Sequence, residues 1–222
     1  DMPHGKGTLT IPVPGQGSKQ YRGSFVRGQR HGVGKLTFPS RACYEGQWKN
    51  DSFWGTGRYK FANGDVYSGA FLAGKRTGIG RMEYGNGNTF QGQWKDDYRL
   101  KGQYTYKNGN VYTGEYVNNR MEGVGTFVWA ADGSTYEGGW KEDKAEGIGR
   151  FTKGGAGGYV YEGAWLSNKK HTQEGELARV KYMNGNEFLG QFKKGKMTGK
   201  GTLLTADGVE QKGEFIDGVF QG

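Results

Sequence analysis

Residues 44–65 read YEGQWKNDSFWGTGRYKFANGD, and this stretch contains the pattern that decides the fold. An aromatic residue, a glycine and a second aromatic residue stand at alternate positions, as Tyr44, Gly46 and Trp48. On a β-strand such residues share one face, and the polar residues between them share the other. The stretch therefore predicts one strand, then a polar loop at residues 50–54, then a second strand.

The same pattern of aromatic, glycine and aromatic returns along the whole chain. Repeats start near residues 21, 44, 67, 90, 112, 136, 161, 188 and 211, with a partial unit at 1–20. Successive starts lie 22 to 27 residues apart. A period in this range is typical of arrays in which each unit buries its apolar face only against its neighbours. We predict a single array of about nine repeats over residues 1–222.

A glycine pair such as Gly55 and Gly57 begins the second strand of each repeat, and a dipeptide such as Asn63-Gly64 follows it. Asn-Gly favours a type I′ turn, since both of its central residues need positive φ. Both connections reverse the chain, so we expect an all-β, single-layer antiparallel meander that is elongated and rod-shaped. A strand spacing of about 4.8 Å gives a length of roughly 90 Å. Each glycine is expected to lie beneath an aromatic ring of the adjacent repeat.

Composition bears on order, compartment and membrane insertion. Hydrophobic residues make up 33% of the chain and the mean hydropathy is −0.84, which alone would favour disorder. The 14% aromatic content and the 44 phased glycines indicate ordered structure instead. No apolar run reaches the length of a membrane span, and no signal or transit peptide is expected. A single cysteine, Cys43, excludes an intramolecular disulfide and fits a reducing compartment.

The pattern resembles the MORN repeat (membrane occupation and recognition nexus), and the resemblance extends over essentially the whole chain. It is clearest at residues 44–48 and 136–140. The glycine pairs that carry it are Gly32/Gly34, Gly55/Gly57, Gly78/Gly80, Gly123/Gly125, Gly147/Gly149 and Gly199/Gly201. The resemblance implies stacked hairpins that act as a cytoplasmic scaffold for proteins or membranes. Chains built only of such repeats are similar to the cytoskeletal MORN proteins of protists, which implies a homodimer.

Two repeats depart from the pattern. The repeat that starts at Phe90 is one residue short and has Gly102 alone where a pair is expected. The repeat that starts at Tyr161 is longer, and residues 169–172 replace its usual loop. Loops accept such insertions at small cost. The alternative is a hinge within residues 150–180, beside the glycine-rich stretch that precedes this repeat.

The last repeat is apolar for a terminal unit. Its apolar side chains are Phe215, Ile216, Val219 and Phe220. Terminal repeats expose an edge strand that can pair with another chain. We therefore expect these residues to form the contact of a homodimer.

Basic residues are the other candidates for a binding site. The net charge is +9, and residues 1–66 hold ten basic side chains against four acids, one of them Asp1. Lys35, Arg58, Arg81 and Arg150 each lie fourteen residues after the first aromatic of their repeat, which predicts a row on the face opposite the aromatics. Arg30, Arg76 and Arg99 are expected to share a loop position. Such rows could contact lipid phosphates or could keep the array soluble.

The sequence contains no pattern of catalytic residues. It lacks a phosphate-binding glycine loop and a nucleophile elbow. His4, His31 and His171 lie in different repeats without metal-ligand spacing to Cys43, although a metal shared between two copies stays an alternative. We expect no catalytic residues, no cofactor and no metal. Buried aromatic rings also disfavour stacking on nucleic-acid bases.

These patterns favour a noncatalytic structural scaffold that forms a homodimer and organises a cytoskeletal or membrane-proximal assembly. The alternative is a peripheral module that binds phosphoinositides or other anionic lipids through its basic face. A third hypothesis is a groove along the aromatic face that holds a helix or peptide of a partner protein. The expected location is the cytoplasm, on the cytoskeleton or at the periphery of a membrane.

Overall fold

The computed structural model describes residues 3–222, which form strands, turns and loops and no helix. The chain divides into two compact units, Asp1–Lys107 and Asn108–Gly222. Asp1 and Met2 lie outside the described residues, and with them the start of the partial repeat expected at 1–20 and one of the acids counted above. Within each unit the strands pair in chain order, so the predicted all-β antiparallel meander is confirmed.

The strands of the first unit are β1 (Gly5–Val13), β2 (Gly17–Val26), β3 (Gln29–Thr37), β4 (Cys43–Lys49), β5 (Ser52–Lys60), β6 (Val66–Leu72), β7 (Lys75–Glu83), β8 (Thr89–Lys95) and β9 (Tyr98–Thr105). Those of the second unit are β10 (Val111–Val117), β11 (Arg120–Val128), β12 (Thr135–Lys141), β13 (Lys144–Lys153), β14 (Tyr159–Leu166), β15 (Lys169–Lys170), β16 (Ala178–Tyr182), β17 (Glu187–Lys193), β18 (Lys196–Leu204), β19 (Glu210–Ile216) and β20 (Val219–Phe220).

The turn inside each repeat is shorter than the sequence predicts. The loop expected at 50–54 is a two-residue turn, because β5 already begins at Ser52. Asn50 and Asp51 both have positive φ, 48° and 64°, as a type I′ turn requires. This turn matches the right-handed twist of the two strands, and Asn and Asp tolerate its backbone better than most residues.

The Asn-Gly connection between repeats reverses the chain, but the prediction of a type I′ turn there is wrong. At Asn63-Gly64 only the glycine has positive φ, 92°. The Gly64 N–H donates to the Phe61 carbonyl at 3.1 Å, and the Phe61 N–H donates to the Asp65 carbonyl at 2.8 Å. This is a three-residue loop that ends in a left-handed glycine. The Asn63 side chain accepts the Asp65 N–H at 3.1 Å, which stabilises the loop from within.

A row of glycines crosses each unit at right angles to its strands, since a glycine of each strand pairs with a glycine of the next. In the first unit the row is Gly7, Gly23, Gly34, Gly46, Gly57, Gly69, Gly80, Gly92 and Gly102. In the second it is Gly114, Gly125, Gly138, Gly149 and Gly163, then Ala178, then Gly190, Gly201 and Gly213.

The ring that covers each glycine pair comes from the same repeat, so the expectation of a ring from the adjacent repeat is wrong. Tyr44 lies over Gly46 and Gly57, and its hydroxyl donates to the Gln47 carbonyl at 2.7 Å. The Tyr44 side chain lies along its own strand, and the residue beneath its ring on the partner strand must therefore lack a Cβ atom. Burial raises the pKa of Tyr44 to about 12, so the hydroxyl stays a donor at neutral pH.

Adjacent repeats meet through ring edges. Tyr44 packs edge-to-face against Trp48 of its own repeat and Phe71 of the next, with centroids 5.3 and 5.2 Å apart. The Trp48 indole N–H also reaches back to the Gly34 carbonyl at 3.0 Å. Edge-to-face pairs contribute about 0.5–1.5 kcal/mol each beyond the area that they bury. Successive hairpins are therefore joined by ring packing as well as by strand pairing.

A bulge follows the glycine pair within a repeat, and not the pair between repeats, and it accounts for the first glycine of Gly-x-Gly. Gly46 pairs with Gly57, but the next residue, Gln47, pairs with Trp54, so Gly55 and Thr56 bulge out. Gly55 has a φ of 58°, and the Gln47 side chain accepts the Thr56 N–H at 2.9 Å.

In the short repeat that starts at Phe90, the bulge contains a single residue. Gln93 pairs with Lys101 and Trp94 pairs with Arg99, which leaves Leu100 between them. The missing glycine is therefore a smaller bulge, and the glycine pair Gly92–Gly102 keeps its register.

The insertion in the repeat that starts at Tyr161 also lies at the bulge. Lys169 and Lys170, expected in the loop, form β15 and pair with β14. The extra residues form the loop 171–177, which splits the second strand of the hairpin into β15 and β16. Ala178 then takes the position of the second glycine. The hinge predicted within residues 150–180 stays a prediction.

Replacing Gly57 by valine is expected to destabilise the first unit. A Cβ at this position would lie 2.5 Å from the hydroxyl oxygen and 2.6 Å from ring carbons of Tyr44, which is fully buried. We expect a loss of roughly 3 kcal/mol in the free energy of unfolding, measured by urea denaturation followed by fluorescence and circular dichroism. Thr56→Val changes an exposed neighbour and should shift it by less than about 0.5 kcal/mol. Equal stability of the two variants would contradict the described packing.

Candidate interaction surfaces

One face of the sheet, the aromatic face, carries rings of two kinds. The first aromatic of each repeat is buried, whereas rings near the far end of the hairpins are only half-buried. We call these half-buried rings the aromatic rim. They are Phe38, Tyr59, Phe61, Tyr84, Tyr104 and Tyr106 in the first unit, and Phe127, Trp129, Phe151, Tyr159 and Tyr182 in the second. Neighbours along the rim touch, as Phe151 and Tyr159 do with centroids 5.9 Å apart.

In the second unit the rim borders a groove of about 430 Å³. Its walls include Trp129, Trp140, Phe151, Trp165 and Lys170. The groove is thus mainly apolar and aromatic, and its polar groups are the ammonium of Lys170, the carboxylate of Asp143 and the amide of Asn168. Its lining is typical of sites that hold an apolar side chain and a small number of polar groups.

Two arginines expected in loops lie instead in strands, on the aromatic face. Arg30 belongs to β3 and Arg76 to β7. The guanidinium carbons lie 4.5 Å from the Trp48 ring centroid and 4.6 Å from that of Trp94. They occupy strand positions because the turn before them has only two residues. These arginines are therefore part of the packing of the aromatic face.

Each of these arginines is bound to an aspartate of the following repeat. Arg30 Nε donates to Asp51 at 2.8 Å, and Arg76 Nε donates to Asp97 at 2.8 Å. Burial works against ionisation of Asp51, but hydrogen bonds from Arg30 and its charge outweigh burial, so the pKa of Asp51 is lowered. The two ion pairs join a strand of one repeat to the turn of the next.

Arg99 also lies in a strand, β9, and in the same hairpin position. Its guanidinium carbon lies 5.6 Å from the Phe90 ring centroid and 5.3 Å from that of Tyr104. Arg99 therefore contacts both a core ring and a rim ring of the first unit.

Lys170 takes this position in the second unit. Its Nζ lies 4.0 Å from the Tyr159 ring centroid and 4.9 Å from that of Tyr161, and it donates to the Tyr159 hydroxyl at 2.9 Å. Burial lowers the pKa of Lys170 to about 8. Sequence reasoning did not select Lys170 as a binding residue, because the insertion hides its equivalence to Arg30 and Arg76.

Charged turns alternate along the array with a period of two repeats. Lysine and an acidic turn follow the tryptophan in three alternate repeats, as Lys49-Asn50-Asp51, Lys95-Asp96-Asp97 and Lys141-Glu142-Asp143. The repeats between them carry Val26, Leu72 and Val117 instead of the lysine. The ion pairs follow this alternation, with Lys75 bound to Asp96 at 3.8 Å and Arg120 to Glu142 at 3.4 Å. This recurrence is the sequence signal that would have revealed Asp51 and Asp97.

The predicted row of cations lies on the other face, here called the polar face. In the first unit the register places, in order, Arg22, Lys35, Glu45, Arg58, Ser68 and Arg81 on successive strands. All three predicted cations of this unit are exposed. Lys35 lies 3.3 Å from Glu45, and Arg81 lies 3.0 Å from Glu83. A groove of about 620 Å³ runs along the row.

Arg150, the fourth predicted member of the row, lies in the second unit. It is exposed and bound to Glu162 across the strands at 3.4 Å. Its neighbours in the register are acidic on both sides, Glu137 and Glu162. Basic residues thus predominate in the row of the first unit, whereas cations and acids alternate around Arg150.

The four residues predicted for a dimer contact differ in exposure. Phe215 is buried at 1% exposure and packs against Phe188 and Phe220. Ile216 and Val219 face each other across the last hairpin and are 59% and 62% exposed. Further exposed aliphatic residues of this region are Leu177, Leu189, Leu204 and Val209. Leu177 and Leu189 line an apolar groove of about 410 Å³.

Two further features bear on chemistry and membranes. Within residues 3–222, no three histidine, cysteine, aspartate or glutamate side chains are grouped so that they could hold a metal ion. His4, His31 and His171 lie in three different hairpins. The same part of the chain contains no helix that is long and apolar enough to cross a membrane.

Hairpins joined by glycine pairs and by edge-to-face rings define a class of repeat protein whose strands form a single layer within each unit. The profile of the MORN repeat matches residues 1–12, 21–42, 44–66, 67–89, 101–111, 112–134, 136–154 and 188–210. These segments make up more than half of the chain, which therefore belongs to the MORN repeat family. Repeats of this family mediate protein or membrane interactions and are generally noncatalytic.

Curated relatives share a short stretch of sequence with this chain. Alsin of Rattus norvegicus, of Mus musculus and of Homo sapiens is each 36% identical over 69 residues. The match covers 29% of this chain and 4% of each alsin sequence. The chain thus spans only a small part of the length of these relatives.

The solved structures that this chain is similar to include the TCP10 domain of Danio rerio CPAP. In complex with a peptide of Danio rerio STIL, that domain has a TM-score of 0.43 and 12% identity, over 94% of this chain and all of the domain. Without the peptide it has a TM-score of 0.41 and 12% identity, over 93% of this chain and all of the domain.

Proposed function

We propose that this chain is a noncatalytic scaffold that holds a segment of a partner protein against its aromatic face. The observation that carries the proposal is the aromatic rim, a row of half-buried rings beside a groove of about 430 Å³ in the second unit. Such rings bury further apolar area only when another molecule covers them. Aromatic residues and arginine are also the side chains most enriched in the energetic centres of protein interfaces.

A single-layer sheet gives this face its binding capacity. The first aromatic of each repeat, such as Tyr136 or Tyr161, is already buried by its own hairpin. The rim rings lie beyond that core, in a row set by the strand spacing of about 4.8 Å. A helix or extended segment laid across the strands could place one side chain against each pair of rings. This geometry favours a protein segment over a compact small molecule.

Selection of peptides from a random display library tests this proposal. Selected peptides are expected to bind in the groove of the second unit and to lose about tenfold or more in affinity on Trp129→Ser/Phe151→Ser. Val124→Ser/Ile148→Ser replaces residues that are 68% and 71% exposed and absent from the groove lining, so it is the matched control. Circular dichroism verifies that both variants fold. Peptides that bind the control variant less well than the groove variant would contradict the proposal.

We also propose that the scaffold self-associates as a homodimer through its last repeats, in a cytoskeletal or membrane-proximal assembly. Phe215 is buried within its own unit, so the contact would rest on Ile216 and Val219, joined by half-buried Phe220. The exposed leucines and the apolar groove of about 410 Å³ in the same unit support this site. Exposed apolar area of this kind is characteristic of interfaces between chains.

Light scattering during size exclusion measures the mass that this proposal predicts. We expect a mass near twice 24.5 kDa that persists at high salt, since apolar contacts are not screened. Ile216→Asp/Val219→Asp should give the monomer mass. Val33→Asp/Ile79→Asp adds the same charge at exposed positions of the first unit and should stay dimeric. A wild-type monomer at every protein concentration would contradict self-association.

A second candidate function is binding of anionic phospholipid, phosphoinositides in particular, on the polar face of the first unit. The observation that favours it is the row in which Arg22, Lys35, Arg58 and Arg81 accompany a single acid, Glu45. Exposed cations near an anionic membrane contribute about 1 kcal/mol each. Arg150 would contribute less because its neighbours in the register are acidic. The same holds for Arg30, Arg76 and Arg99, since they lie among the rings of the aromatic face.

Liposome sedimentation tests the second candidate. Lys35→Glu/Arg58→Glu/Arg81→Glu is expected to reduce binding to phosphatidylserine or phosphoinositide vesicles by more than about tenfold and to leave the mass in solution unchanged. Lys141→Glu/Lys144→Glu/Lys193→Glu makes the same change of net charge at exposed positions of the second unit, so it should retain most of the binding. Equal losses in both variants would show only a dependence on net charge and would contradict a specific basic face.

A further inference from the structure

Lys170 occupies in its hairpin the position that Arg30 and Arg76 occupy in theirs. Each of the three pairs with the second aromatic residue of its repeat across the tight turn. Each also places its cationic group against rings of the aromatic face. The three side chains are therefore structural equivalents.

In the first unit, the turn of the following repeat supplies a carboxylate to Arg30 and to Arg76. The turn residue also makes a backbone contact. The Asp51 N–H donates to the Arg30 carbonyl at 3.1 Å, and the Asp97 N–H donates to the Arg76 carbonyl at 3.1 Å. That contact fixes the turn beside the cation, so the aspartate side chain reaches the guanidinium group.

In the second unit the same turn position is a glycine. The Gly195 N–H donates to the Lys170 carbonyl at 2.8 Å, which is the contact that Asp51 and Asp97 make. Gly195 has no side chain to bring a carboxylate to the ammonium. Lys170 thus keeps the aromatic surroundings of its equivalents and lacks their acid.

The ammonium retains capacity for a carboxylate. Lysine has three N–H donors, and the Tyr159 hydroxyl accepts one of them at 2.9 Å. No carboxylate of the second unit's described residues forms an ion pair with Lys170 within 4.0 Å. Rings on several sides limit its hydration, which is why burial lowers its pKa.

We propose that Lys170 binds an acidic side chain of the partner segment, in the position that Asp51 occupies beside Arg30. This inference rests on the proposed function of the aromatic face and names the chemistry of its partner. The acid would be flanked by apolar side chains, because Trp140, Phe151 and Trp165 line the same groove. The carboxylate would form an ion pair with the ammonium group, and the apolar side chains beside it would cover the rings.

The other carboxylates near Lys170 are already engaged. Asp143 lines the groove and accepts the Met121 N–H at 2.8 Å. Asp217 lies in the adjoining groove and is bound to Lys196 at 2.8 Å.

Glu176, on the loop that precedes β16, accepts the Gln173 N–H at 3.0 Å. Burial raises the pKa of Tyr159, Tyr161 and Tyr182, so these hydroxyls stay neutral where Lys170 titrates.

The charge of Lys170 sets the pH dependence of binding. The lowered pKa of about 8 means that the ammonium form predominates below pH 8. Binding of a carboxylate raises this pKa, since a nearby negative charge favours the protonated form. Affinity should therefore be constant below about pH 8 and fall as the pH rises towards the pKa of the complex.

Three synthetic peptides test the proposal by fluorescence anisotropy on the full chain. The first is a capped nonapeptide with one central glutamate between leucine and phenylalanine residues. The second has glutamine in its place, and the third is the glutamine peptide with a free carboxyl terminus. At pH 7 the glutamate peptide is expected to bind about tenfold more tightly than the glutamine peptide. The advantage should shrink above pH 8.

Two variants isolate the contact. Lys170→Met should abolish the advantage of glutamate. Gly195→Asp should abolish it as well, because its own carboxylate would occupy the ammonium as Asp51 occupies Arg30, and it should raise the pKa of Lys170 measured by NMR. Gly195→Asn keeps a turn side chain without the charge and should retain the advantage. Asp51 and Asp97 hold the equivalent turn position at φ 64° and 72°, so a rotation of about 20–30° from the 92° of Gly195 accommodates either side chain.

Three outcomes of the peptide experiment would contradict the proposed role of Lys170. Equal binding of the glutamate and glutamine peptides in the groove would overturn the role of Lys170 and leave the proposed function of the aromatic face standing. Tighter binding of the free-carboxyl peptide alone would overturn the assignment to an acidic side chain. Failure of all three peptides would overturn the inference, while the library selection separately decides the function of the aromatic face.

Discussion

The contact on which this structure depends is an aromatic ring lying over a pair of glycines on adjacent strands. The ring of Tyr44 occupies the space that two Cβ atoms would otherwise fill, so the sheet can bury a large side chain without a second layer. Everything near the ring follows from this demand. The partner strand, β5, must bulge after the glycine pair. At that point the Gln47 carbonyl of β4 accepts the hydrogen bond from the Tyr44 hydroxyl. The next repeat must then supply a ring edge, Phe71, to close the exposed side.

A core one residue deep has a consequence for binding. The rings that hold the hairpins together and the rings that remain half-buried belong to the same face, so stability and recognition share a surface. The cations of that face lie among the rings, as Arg76 does beside Trp94, and not in a solvated border. A basic residue there is either neutralised within the array, as by Asp97, or left to be neutralised by something else, as Lys170 is. On the polar face, stability and recognition do not depend on the same side chains, so its residues can vary with little effect on the fold.

The alternation of aromatic and glycine residues was sufficient to predict the strands, and the two short connections in each repeat predicted their antiparallel course. The turns were harder to predict, because Asn50 and Asp51 adopt positive φ without glycine while Asn63-Gly64, the stronger signal, forms a different loop. Arg30 was assigned to a loop for the same reason, since a two-residue turn moves it into a strand. Lys170 could not be found from spacing at all. A seven-residue loop, 171–177, separates it from the strand that continues its hairpin, and only the register restores the equivalence.

Over the repeats that start at residues 21 to 136, ion pairs along the turns join each repeat with an aliphatic turn to the following repeat with an acidic one. Arg30 and Asp51 belong to one such couple, and Arg76 and Asp97 to the next. The hydrophobic pattern has a period of one hairpin, but the charge pattern has a period of two, 46 residues from Tyr21 to Tyr67. Genetic gain or loss of one hairpin would keep every ring over its glycines. It would, however, place two turns of the same kind, both acidic or both aliphatic, in adjacent repeats. The ion pairs between such turns are therefore preserved only when hairpins are gained or lost two at a time, so the couple of two repeats, and not the single hairpin, is the unit by which this part of the array can change its length.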